Sequence, residues 1–166
     1  ELPNELVCEI ANYNSINQIV VSGDTNAIDL IIENAKEKQF KAIKLLVSAP
    51  FHCKYMLNTA KQLKTSFDNL TFQNPTIPII LNFSAKPFLN IDDLKKSLIS
   101  QTFSTVRWYE SIRYMVEKGT NLVLEIGHGN TLSNMLKRMK FINEFKAISL
   151  SSIKEIEKFM RDSYES

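Results

Sequence analysis

Glycine is scarce in this sequence, with four among 166 residues. That is too few for a Gly-rich loop cradling phosphates on bare backbone N–H groups. Cysteine is scarcer still. Cys8 and Cys53 are unclustered thiols, which suits a reducing cytoplasm better than a disulfide framework. Neither forms a metal-ligand spacing with His52 or His128, so no metal site and no resident cofactor is expected. Charge of one sign is not in excess: 20 basic against 18 acidic residues give a net +2, without the clustered basic face that non-specific nucleic-acid binding needs. No run approaches the ~18–20 apolar residues of a membrane-spanning helix, and no basic start with an apolar core marks a signal peptide. The Gly-x-Ser-x-Gly elbow that presents a nucleophilic serine is also missing.

What is present reads as a globular domain. Hydrophobic residues make up 44% and charged residues 23%, enough for one core, or one core plus a small appended lobe. Residues 7–12 and 18–22 predict two short strands across an Asn-Ser turn. Asp24 or Thr25 opens a helix, and 41–47 predicts a third strand. A helix is expected from Lys54 to about Thr65, with Met56, Leu57, Ala60 and Leu63 on one face. Pro75 and Pro78 bracket a turn before a strand over 79–82. Asn90 caps a helix with Asp92 and Asp93 in its first turn, running to about Gln101. A further helix starts at Thr105, with Trp108 as simple core, and stops at Gly119. Strand 121–125, helix 130–140, strand 145–150 and a helical tail from Ser152 complete the chain. Strands alternating with helices indicate an α/β fold with a largely parallel sheet.

Chemistry concentrates at Ser48-Ala49-Pro50-Phe51-His52-Cys53, directly after the apolar run 43–47. A strand ending in a short Pro-containing loop is a good way to hold one imidazole at a cleft. His has an ordinary pKa near working pH and serves as base and acid in turn. Read from the residues alone, His52 fits a structural hydrogen-bonding role as well, and a base needs a nucleophile that this chain does not display.

Other pieces occur in order along the chain. They are Asn12-Tyr13-Asn14-Ser15, Gln18-Ile19-Val20-Val21-Ser22-Gly23, the His52 loop, Pro75-Thr76-Ile77-Pro78-Ile79-Ile80-Leu81-Asn82, Gln101 with Val106-Arg107-Trp108, and Glu125-Ile126-Gly127-His128-Gly129-Asn130 before Leu136-Lys137-Arg138. Together, from about Leu6 to Leu150, they resemble the C-terminal half of malonyl-CoA:acyl-carrier-protein transacylases.

The resemblance implies part of an acyltransferase-type, α/β-hydrolase-like parallel sheet with helices, plus an incomplete ferredoxin-like small lobe. Residues 1–47 would form that lobe, 48–150 the C-terminal part of the large lobe, and 151–166 a tail. His52 would be the general base, oriented by the main-chain carbonyl of Gln101. Asn12, Asn14 and Asn82 would line the substrate cleft, although turn chemistry alone also explains Asn at strand ends. Phe51 would narrow the space for an α-methyl branch, although a Phe beside a loop needs no such role. His128 stands where the family usually has Pro and is expected to be structural. Malonyl-CoA and acyl carrier protein are the implied partners, with Lys54, Lys137 and Arg138 as candidates for a basic rim. The family's Gly-His-Ser-x-Gly elbow, its second oxyanion amide and its carboxylate-binding Arg would lie before Glu1, in a missing N-terminal half. The rival expectation is a non-catalytic remnant or carrier-binding module.

Overall fold

The computed structural model describes residues 6–88, 90–139 and 145–164. They divide into two compact units, Glu1–Ser111 and Ile112–Ser166.

The first unit opens with an antiparallel hairpin, β1 (Cys8–Ser15) and β2 (Gln18–Gly23). Its register shifts between Ile10 and Asn12 and again between Tyr13 and Ser15. Such irregularities bend a strand and free backbone groups for other partners. The Ala11 carbonyl accepts from Val106 N at 2.8 Å, and Tyr13 N donates to Val106 O at 2.9 Å. A short parallel bridge thereby joins β1 to a distant loop. Gly23 is required by close approach, since a Cβ there would lie 2.0 Å from the Val7 carbonyl oxygen.

Helix α1 (Thr25–Glu37) follows, burying Ala27. Asp24 occupies the N-cap position without capping. Its carboxylate instead accepts from Val7 N at 2.7 Å and from the Tyr55 hydroxyl at 2.8 Å.

The strand expected over 41–47 is not formed. A strand exists through its ladder, and no described residue pairs with this segment. Leu46 is fully exposed, and Ile43, Leu45 and Val47 are more than half exposed.

A 3-10 turn (Lys54–Met56) leads into α2 (Leu57–Asp68). Strand β3 (Ile80–Leu81) is shorter than expected and pairs antiparallel with β4 (Lys86–Pro87), which the sequence pattern did not reveal. Helix α3 (Ile91–Ser100) is capped as expected, with the Asn90 side chain accepting from Asp93 N at 2.9 Å. Helix α4 (Trp108–Glu117) begins three residues later than the pattern suggests. Thr105 and Val106 are committed to β1 instead: the Thr105 hydroxyl donates to the Ile10 carbonyl at 2.6 Å.

The second unit contains the parallel pair, β5 (Leu122–Ile126) and β6 (Lys146–Leu150), in register from Leu122↔Lys146 to Ile126↔Leu150. Between them runs α5 (Thr131–Arg138). The expected end of that helix at Lys140 lies outside the described residues. Ile112, Val116, Leu136, Met139 and Leu150 are buried. Helix α6 (Ile153–Tyr164) forms the tail. No helix among the described residues is long and apolar enough to cross a membrane.

Candidate active site

The site is built at the C-terminal end of α3. The last carbonyls of an α-helix have no partner within it. Here the final turn is closed by Gln101 N to Ser97 O at 2.9 Å and Thr102 N to Ile99 O at 3.2 Å. The Thr102 hydroxyl adds a bond to Ile99 O at 2.7 Å. This leaves the carbonyls of Gln101 and Thr102 for outside donors, and His52 takes both. Its main-chain N donates to Thr102 O at 3.1 Å, and its ring Nδ1 lies 2.7 Å from Gln101 O.

That second contact fixes the tautomer. A carbonyl only accepts, so the ring proton sits on Nδ1 and the Nε2 lone pair is left for a proton. The backbone of His52 is itself in the left-handed region, φ +63. His reaches this region more readily than bulky residues, at a cost that the surrounding bonds must offset.

Those bonds come from both flanks. Cys53 is wholly buried and its thiol donates to Pro50 O at 3.2 Å. Lys54 N donates to the Glu9 carboxylate at 3.1 Å. Tyr55 is tied to Asp24, whose carboxyl is held below the usual carboxylate range first by the Val7 N–H and then by the Tyr55 hydroxyl. The same bond pushes the Tyr55 phenol upward. Burial is the main cause raising the Cys8 thiol.

The loop from Gln101 to Arg107 meets two of the other expected residues, Asn12 and Asn82. Asn12 lies on β1 and bridges to Val106. Asn14 is half-buried at the second register shift of that strand. Among the described residues, no side-chain hydrogen bond occupies either amide. The Asn82 carbonyl accepts from Arg107 N at 2.9 Å, and its exposed side chain reaches the Gln101 side chain at 3.5 Å. Phe51, directly before His52, is half exposed. Hydrogen bonds therefore connect His52, Gln101, Asn82 and the Asn12 strand through one loop of the first unit.

Sequence reasoning gave no role to Thr102, Arg107 or Glu110. The Arg107 guanidinium donates to both Glu110 carboxylate oxygens through Nε and Nη2, the latter at 2.6 Å. It also donates to Ser84 O at 3.4 Å. The spacing of three residues at a helix start was the signal available for this pair. An open cleft of about 540 Å³ lies beside it, lined by Phe83, Ser84, Lys86, Ser104, Thr105 and Arg107.

His128 occupies the exposed turn between β5 and α5, in the second unit. The helix end that could attract an anion there is already filled. Glu125 accepts from Ser133 N at 2.7 Å and Leu132 N at 3.0 Å, which holds its carboxyl below the usual range. Among the described residues, no group of three or more His, Cys, Asp or Glu is disposed to hold a metal.

No family model matches the chain. Individual proteins do. It is 37% identical over 150 residues to the malonyl CoA-acyl carrier protein transacylase of Bacillus subtilis, covering 90% of this chain and 47% of that protein. The solved transacylase of Clostridium perfringens superposes with a TM-score of 0.88 at 32% identity, over 96% of this chain and 50% of that one. A type II PKS acyl-carrier protein in complex with its malonyl-transacylase gives 0.89 at 26% identity, over 96% and 51%. The chain thus spans about half the length of the relatives it matches. Over that half, its sequence and its acyltransferase fold belong to the malonyl CoA-acyl carrier protein transacylase family.

Proposed function

We propose that this chain supplies the general base and part of the substrate cleft of a malonyltransferase of fatty acid synthesis, as its C-terminal half. The observation that carries the reading is the 2.7 Å contact between His52 Nδ1 and the Gln101 carbonyl, which leaves Nε2 as the proton acceptor.

In the completed enzyme, a serine hydroxyl of the other half gives its proton to His52 Nε2. Its oxygen attacks the malonyl thioester carbonyl. The intermediate expels the coenzyme A thiolate, which takes the proton from Nε2, and malonyl-serine remains. The phosphopantetheine thiol of acyl carrier protein then yields its proton to Nε2 and attacks the ester. Serine leaves and recovers that proton. The two half-reactions share one imidazole and need no metal or redox cofactor.

The same reading assigns the remaining roles. Asn12, Asn14 and Asn82 offer amides to the acyl-pantetheine chain, and Phe51 limits bulk beside the base. In this reading residues 1–47 belong to a small ferredoxin-like lobe, 48–150 to the large lobe and 151–166 to a C-terminal tail. The exposed run 43–47 is the edge that the other half covers. The two free thiols suit a reducing cytoplasm.

The test combines the chain with an upstream half carrying the Gly-His-Ser-x-Gly elbow, then measures transfer from labelled malonyl-CoA to acyl carrier protein. The chain alone should be inactive and the pair active, and His52→Ala should lower the rate by ~100- to 10,000-fold. Carrier binding without transfer by the wild-type pair would favour a carrier-binding module instead.

A further inference from the structure

We propose that Arg107 is a positioning residue for His52, acting through the loop that carries the Gln101 and Thr102 carbonyls. The inference rests on the acyl-transfer reading above.

The loop has two anchored ends. At its entry, Gln101 and Thr102 present their carbonyls to His52. At its exit, Val106 is paired on both sides with β1, and Arg107 N donates to Asn82 O. The Arg107 carbonyl accepts from both the main-chain N and the hydroxyl of Ser111, each at 2.9 Å, which starts α4. Its guanidinium closes the arrangement. One fork grips Glu110 in the first turn of α4, and the remaining nitrogen reaches Ser84 O. That carbonyl belongs to the turn joining β3 to β4, where Ala85 stands at φ +55 and Asn82 approaches the Gln101 side chain.

One side chain thus ties the exit of the loop to the turn that borders its entry. A planar guanidinium does this because its donors are fixed in a fork; a lysine ammonium is a point charge without that geometry. The Arg107 side chain is 43% exposed and that of Glu110 27%. A pair so close to solvent contributes little to global stability. Its effect should appear in the aim of the Gln101 carbonyl, since reacting groups misplaced by about 1 Å cost ~100-fold in rate.

The experiment uses the chain paired with the upstream half, and reads kcat, KM and melting temperature for Arg107→Ala, Arg107→Lys, Glu110→Ala and the double alanine variant. Arg107→Ala should lower kcat by roughly 10- to 100-fold, with KM for malonyl-CoA and melting temperature nearly unchanged. Arg107→Lys should rescue little. The double variant should be no worse than either single one, because the two side chains act as a unit. A second readout needs no substrate: in the 15N-labelled chain, the His52 Nδ1–H resonance should be protected in wild type and broadened in Arg107→Ala. An unchanged kcat, a loss confined to KM, a retained ring-proton signal, or a large fall in melting temperature across all variants would overturn the inference. Should the wild-type pair transfer nothing, the acyl-transfer reading fails, while the ring-proton comparison still decides the role of Arg107.

Discussion

The ring of His52 and the main-chain carbonyl of Gln101 meet at 2.7 Å across 49 residues of sequence. Because the backbone makes the contact, the Gln101 side chain is dispensable to it. Gln101→Ala should therefore keep most of the transfer activity of the completed enzyme. Gln101→Pro removes the N–H that bonds Ser97 O and crowds the preceding turn, a change that costs ~3 kcal/mol in helices. It should lower kcat about as far as His52→Ala does. Steady-state rates of the two variants decide the point, and equal losses from both would place the contact in the side chain.

Glu125 should make the second unit sensitive to acid. Its carboxyl is held low by Ser133 and Leu132 N–H groups, so the folded state binds its proton less readily than the unfolded state. The stabilisation is then complete above the unfolded value, about 4.3 for Glu, and is lost as pH falls through the lower folded value. Urea midpoints for wild type and Glu125→Ala should differ at neutral pH and converge in acid. A gap that stays constant across that range would assign the effect to packing.

Tyr55 and Asp24 predict a signature at alkaline pH. The phenol is raised chiefly by its hydrogen bond to Asp24, so the neutral form is favoured by folding. Its stabilisation is present below the ordinary value, about 10, and is lost as pH rises through the higher folded one. In an absorbance titration, Tyr55→Phe should remove a tyrosine that ionises above the ordinary value, and Asp24→Asn should bring that ionisation earlier.

The run 43–47 predicts behaviour in solution. Several adjacent apolar side chains are exposed there, a pattern that favours association. The chain alone should oligomerise or bind an apolar dye, and amides 43–47 should exchange quickly. Adding the upstream half should slow that exchange. A monodisperse monomer with slow exchange at 43–47 would contradict the assignment of this edge.

How far the sequence could be read depended on the range of the forces involved. Helix α3 was legible because Asn90 and Asp93 are three residues apart and cap it locally. Strands β5 and β6 were legible because each holds a short apolar stretch, Leu122-Val123-Leu124 and Ala147-Ile148, with one helical pattern between them. Residues 41–47 carry the same apolar signal, yet a strand needs a partner and none of the described residues supplies one. The start of α4 was misplaced because Thr105 and Val106 serve β1, a demand invisible to helical spacing. At the site, nothing local couples residue 52 to residue 101; family resemblance suggested that pairing. The Arg107–Glu110 spacing could be read directly, but its reach to Ser84 could not.

The long span between His52 and Gln101 has a consequence during synthesis. The hairpin β1–β2 closes through a two-residue turn and can form within ~1–10 μs of leaving the ribosome. His52 must wait for another 49 residues to be added before its acceptor exists, which at ~5–20 residues per second takes several seconds. Until then its left-handed backbone has no Thr102 or Gln101 carbonyl to hold it, and the loop samples other conformations. The imidazole is therefore set in place only after α3 has emerged and folded, long after its own residue was translated.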